Sequence, residues 1–172
     1  MHKDIFVLFA KYNKAVNQKM NEVIKTLSKE EWNKNLGGFF NSVRGLCSHL
    51  YICDFNWLKR YSRLRDFNIF KEVFFAREPY SFKETLFADL DEYITGRPIL
   101  DEKIIAFINE VNEDDLNSFL KYTDSEGTAY ERNFGSLIMH SLNHDSFHRG
   151  MISLYLEMLG RENDFGSFVD IL

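Results

Sequence analysis

The sequence predicts an all-α protein formed as one domain over residues 1–172. Three observations carry this. Apolar residues recur at three- and four-residue spacing over long stretches. Only two prolines occur in 172 residues, and the long helical patterns run between glycines. Residues that cap helices stand where the periodic stretches begin. Hydrophobic residues make up 45% of the chain and 17 are phenylalanine, which suits a full and unusually aromatic core rather than disorder.

The first long helix is expected over residues 4–27. Ile5, Leu8, Phe9, Tyr12, Val16, Met20, Val23 and Leu27 form its apolar stripe, with Asn13, Asn17 and Asn21 mostly elsewhere on the wheel. Ser28 with Glu31 makes a capping-box pattern that opens a short helix carrying Trp32, and Gly37-Gly38 then breaks the chain. Ser42 caps a second long helix running to about Arg60. Its stripe is Val43, Leu46, Cys47, Leu50, Cys53, Trp57 and Tyr61. His49 follows Leu46 by three and precedes Cys53 by four, so it lies on or beside that stripe.

Residues 63–80 read as a loop with a helical turn. Ser81 and Glu84 repeat the capping-box pattern, which predicts a helix through Leu86, Phe87, Leu90 and Ile94. The pattern resumes through Ile104, Phe107 and Val111. Gly96 and Pro98 leave open whether these are one kinked helix or two. Residues 117–133 fit two short strands around Asp124-Ser125-Glu126-Gly127. Asn133 caps the last long helix, which ends near Leu159 with Gly160 at the position past the C-cap. The tail carries Phe165, Phe168, Val169, Ile171 and Leu172 and is expected to dock on the helices or on a partner.

A net charge of −5 supplies no overall basic field, and no base-reading motif occurs, so nucleic acid is not an expected partner. The early run Ile5–Ala10 is too short to span a membrane, and no membrane association is expected. Cys47 and Cys53, six apart on a helix, lie on different faces and are not expected to pair; reduced cysteines suit a cytoplasmic protein.

Chemistry concentrates in the last long helix, where His140, His144 and His148 are spaced by four. Each step of four turns a helix by only ~40° and climbs ~6 Å, so the three form a ladder. Zinc–nitrogen bonds of ~2.0–2.1 Å let adjacent rungs share an ion, but the outer two start ~12 Å apart. A metal site therefore uses one adjacent pair and a ligand from elsewhere. His144 and His148 stand where apolar residues would pack, and His49 joins them if the second long helix lies beside the last. Three neutral imidazoles suit zinc, nickel, iron or copper and leave a position open. The ordinary alternative for each is a hydrogen-bonded histidine at the core edge.

The segment Asn143-His144-x-x-x-His148-Arg149-Gly150, followed by an apolar helix ending in Leu159-Gly160, resembles the DinB family. Phe9-Ala10-Lys11-Tyr12-Asn13, Leu27-Ser28-Lys29-Glu30-Glu31-Trp32 and Ser42-Val43-Arg44-Gly45-Leu46-Cys47-Ser48-His49-Leu50 resemble the same family in the same order. The resemblance covers nearly the whole chain. It implies a four-helix bundle with long crossover connections, often a homodimer, and a divalent metal, zinc or nickel, on His49, His144 and His148. His140 matches a histidine common before the motif and not a ligand. Met151 departs from the pattern, since glutamine frequently follows Arg-Gly there; the ligands are untouched by that change.

Two functions follow. The first is a metal-dependent transferase acting on a small-molecule substrate, a low-molecular-weight thiol, or a hydrolase if water is the nucleophile. The second is a non-catalytic protein in which metal braces two helices. Asp54 and Asp145, close in sequence to His49 and His144, are expected as solvated carboxylates rather than supports of the site, and Arg149 as an anion contact or an internal ion-pair partner. Ligating histidines must be neutral, so metal is expected to leave as pH falls below ~6.5.

Overall fold

A computed structural model describes residues 2–169. Its helices are α1 (Lys3–Ile24), α2 (Lys29–Asn33), α3 (Val43–Tyr61), α4 (Leu90–Glu110), α5 (Glu113–Asn117) and α6 (Phe134–Met158). Strands β1 (Phe119–Thr123) and β2 (Ala129–Asn133) pair antiparallel, with Tyr122 opposite Tyr130. The long helices α1, α3, α4 and α6 form a four-helix bundle. In it α1 packs against α4 and α6, and α3 packs against the same two. Successive helices α1 and α3 thus occupy opposite corners, and the connections 62–89 and 111–133 are correspondingly long.

Local chemistry sets most boundaries. The Ser28 hydroxyl accepts from Glu31 N–H while the Glu31 carboxylate accepts from Ser28 N–H, the reciprocal pair that opens α2. Ser42 caps α3 through Gly45 N–H, and Asn133 caps α6 through Ser136 N–H. Gly160, at φ 73°, closes α6: its N–H donates to the Glu157 carbonyl and Arg161 N–H donates to that of Leu156. Pro98 lies inside α4, so the two apolar stretches around it form one helix.

Two readings of the chain are corrected. The Ser81–Glu84 pattern makes a turn, not a helix; Glu84 does cap the Ser81 N–H, but α4 begins only at Leu90. Between them Phe87 adopts φ 57°, outside helical space, and its ring packs on Tyr51 and Tyr93. Packing of that aromatic ring overrides the cap. In α1, Ile5 and Leu8 are exposed, whereas Asn13, Asn17 and Asn21 are buried. The buried face is rotated towards the asparagines because the bundle centre is polar at that level.

That polar layer separates two apolar cores. One holds Phe6, Phe55, Tyr61, Phe107 and Phe134; the other holds Val16, Met20, Trp32, Leu46 and Leu156. Phe165 joins the second core, the Tyr12 hydroxyl donates to the Gly166 carbonyl and the Phe168 ring lies 4.7 Å from Tyr12, so the tail docks in part; Val169, by contrast, is exposed. Ile171 and Leu172 lie outside the described residues. No helix among the described residues is long and apolar enough to cross a membrane.

Candidate metal centre

The packing of α3 against α6 brings His49 to His144 and His148. The ring centres of His49 and His148 are 4.6 Å apart, and those of His144 and His148 4.3 Å. His49 Nε2 lies 3.3 Å from His144 Nε2. Cys53, one turn after His49, places its sulfur 3.5 Å from His49 Nε2. One ligand atom each from His49, Cys53 and His144 lie within 4.8 Å of one another, a cluster that could hold a metal ion. His140 is exposed, its ring 6.0 Å from His144 and 5.6 Å from Trp57.

A loop closes over these rings. Gly37, Gly38 and Asn41 all have positive φ, which folds residues 36–41 back onto the start of α3. The Phe40 ring lands 4.5 Å from His49 and 5.3 Å from His148. Gly45 makes the approach feasible, because a Cβ there would stand 2.0 Å from the Phe40 carbonyl oxygen.

Burial keeps the imidazoles neutral. It lowers the pKa of His49 to about 4, with His144 adding to the effect. His148 is lowered to about 4 by burial and then by His144 and His49. Burial also lowers His144, against the opposing charge of Asp145. Neutral imidazole is the ligating form. Cys53 is in the opposite state: burial raises its thiol pKa strongly, Asp54 and Asp145 add to this, and Arg60 opposes them. His148 Nδ1 is buried without a hydrogen-bond partner.

The neighbouring carboxylates are not solvated. Asp54 and Asp145 are 4% and 2% exposed. Arg97, wholly inside the bundle, donates from Nη1 to Asp54 at 2.6 Å and from Nε and Nη2 to Asp101 at 2.9 and 2.6 Å. Its Nη2 lies 3.6 Å from Asp145. Asn17 donates to Asp101, and Asn13 donates to Asp145 and accepts from Arg149. Burial followed by repulsion from Asp145 raises the Asp54 pKa well above normal, with Arg97 opposing. A buried guanidinium that needs carboxylates explains why both aspartates turn inward. Asp145 directs its hydrogen bonds to this network and, among the described residues, to no imidazole. Arg149 is a buried residue of the same network, donating to Asn13 and lying 3.8 Å from Asp145; an internal ion-pair partner is one of its two expected roles.

Cys53, which its place in the apolar stripe of α3 marks as a core residue, is also a member of the cluster. Its signal was present: it stands four after His49, the spacing that marked His144 and His148. Cys47 is buried elsewhere, and both cysteines are unpaired.

Comparison with known proteins agrees with this architecture. The DinB family model matches residues 1–165. The chain is 25% identical over 163 residues to Protein DinB of Bacillus subtilis (strain 168), covering 92% of this chain and 90% of that one. It also matches the crystal structure of a DinB-like protein from Bacillus subtilis. That match has a TM-score of 0.61 and 14% identity, and spans 91% of this chain and 94% of the other.

Proposed function

The chain belongs to the DinB family, and from that premise we propose that His49, His144 and His148 hold a divalent metal, zinc or nickel, in a thiol-dependent transferase. The observation that carries this reading is the 3.3 Å separation of His49 Nε2 and His144 Nε2. Two nitrogens bound to one tetrahedral zinc lie about 3.3–3.4 Å apart. His148 stands beside the His49, Cys53 and His144 cluster rather than within it, its ring centre 4.6 Å from that of His49 and 4.3 Å from that of His144, and its buried Nδ1 has no hydrogen-bond partner. Burial lowers the pKa of all three imidazoles and so favours the neutral, ligating form.

The metal would supply one thing, a charge that holds a substrate thiol as thiolate near neutral pH. The protein's own groups do the rest. Phe40 covers His49 and His148 and keeps water from two of the ligands. Burial keeps protons off the imidazoles. The Arg97 network fixes the height of α3 against α6, and with it the spacing of His49 and His144. The same reading includes a homodimer, which the mass of the protein in solution tests.

Cys53 favours a second reading. Its sulfur is 3.5 Å from His49 Nε2, about the separation of nitrogen and sulfur on one zinc. Cys53 together with three histidines would close the coordination sphere and make a brace between α3 and α6. The first reading is preferred because the Cys53 thiol must lose a proton that burial holds tightly, whereas the imidazoles need no such change. Elemental analysis with a thiol-transfer screen, on wild type and Cys53→Ser, separates the two. Equimolar metal and transfer in both proteins supports the transferase; metal lost with Cys53→Ser supports the brace. Full metal binding by His144→Ala would contradict both.

A further inference from the structure

His49, Cys53, Trp57 and Arg60 follow one another on one face of α3. The Arg60 guanidinium carbon sits 4.9 Å from the centre of the Trp57 ring and 5.9 Å from those of Phe82 and Tyr122. Trp57 contacts His140, and His140 neighbours His144. Arg60 therefore ends a wall of side chains that begins at the clustered imidazoles. It also lines a cleft of about 830 Å³ between α3, the loop around Tyr80 and the hairpin turn.

Arg60 is half-buried and, among the described residues, has no hydrogen bond and no ion-pair partner for its guanidinium. Three arginines differ: Arg65 is held by Asp115, Arg97 by Asp54 and Asp101, and Arg161 by Glu31; the more exposed Arg63 in the same cleft also lacks an ion pair among the described residues. The Arg60 charge reaches Asp124 and helps to lower its pKa, but no carboxylate among the described residues forms an ion pair with the guanidinium. Glu78 and Glu126 line the cleft without pairing with Arg60, and Asp124 Oδ1 accepts from Glu126 and Thr128 N–H. Lys59, Arg63 and Lys83 line the same cleft, so cations outnumber carboxylates there. Three aromatic rings lie within 5.9 Å of the guanidinium, Trp57 the nearest, while its donors make no hydrogen bond among the described residues, and a planar donor fork suits a carboxylate.

We propose that Arg60 binds the carboxylate of a small anionic substrate whose thiol lies at the histidine cluster. This rests on the proposed function. Arg60 follows Cys53 by seven positions, a rise of about 10 Å along the helix, and side chains lean towards the helix N-terminus. A substrate that reaches both places must therefore span about 8–10 Å between carboxylate and sulfur.

The test is titration calorimetry of metal-loaded protein with ω-mercaptohexanoate and with ω-mercaptohexanol, its neutral counterpart. Wild type should bind the carboxylate about tenfold to a hundredfold more tightly. Arg60→Gln should remove that preference and leave affinity for the neutral thiol in place, and Arg60→Lys should restore part of it. Equal affinities in wild type, or a preference that survives Arg60→Gln, would overturn the proposal. So would a variant that only melts earlier, the sign of an arginine that merely covers Trp57. Plain hexanoate against hexanol on metal-free protein separates this inference from the one beneath it. An Arg60-dependent preference without any thiol response keeps the anion site and sinks the thiol reading. No preference in either pair of probes sinks the anion site alone.

Discussion

At His49 and His148, burial outweighs every other influence on protonation, and this sets a pH window. Both have folded pKa values of about 4, below the ordinary histidine value. In the metal-free protein the unfolded chain takes up protons at higher pH than the folded one. The neutral pair's contribution to stability is therefore complete above about 6.5 and is lost as pH falls towards about 4. Metal retention should follow the folded values, persisting to about pH 5 and failing near 4, lower than the ordinary histidine pKa suggests. Elemental analysis after dialysis across this range checks it; release already complete at pH 6 would contradict it. The spacing of His144 and His148 made this chemistry legible in the sequence. Their depth was not legible, because it depends on Phe40, which reaches them only through the fold.

The approach of the 36–41 loop to α3 depends on Gly45. In Gly45→Ala the new methyl would overlap the Phe40 carbonyl, and backbone has to move. Destabilisation of about 1–3 kcal/mol is expected, which lowers the melting temperature by about 2–4 °C per kcal/mol. Displacement of Phe40 should also speed metal loss to a chelator. An unchanged melting temperature and unchanged loss rate would contradict this account of the loop. Caps and periodicity made the boundaries of α2, α3 and α6 readable from sequence, since those signals are local. The start of α4 was not readable, because Phe87 leaves helical space to pack on Tyr51 and Tyr93, residues far along the chain.

Across the molecule, one charged network joins all four long helices: Asn17 from α1, Asp54 from α3, Arg97 and Asp101 from α4, and Asp145 from α6. Removing its cation in Arg97→Met leaves buried carboxylates uncompensated. A loss of about 3–5 kcal/mol in denaturant unfolding is expected; a loss under about 1 kcal/mol would show that the network does not hold the bundle. Helix order and the hairpin were legible because each is written in a continuous stretch. The network was not, because Asp54 and Arg97 are separated by 43 residues and each alone resembles an ordinary surface charge. What the bundle achieves is the placement of α3 against α6, and X-ray absorption of the zinc-loaded protein in thiol-free buffer reads its result directly. The account predicts a nitrogen shell at ~2.0–2.1 Å that includes three imidazoles and no sulfur near ~2.3 Å. A zinc–sulfur shell, or fewer than three imidazoles, would contradict it.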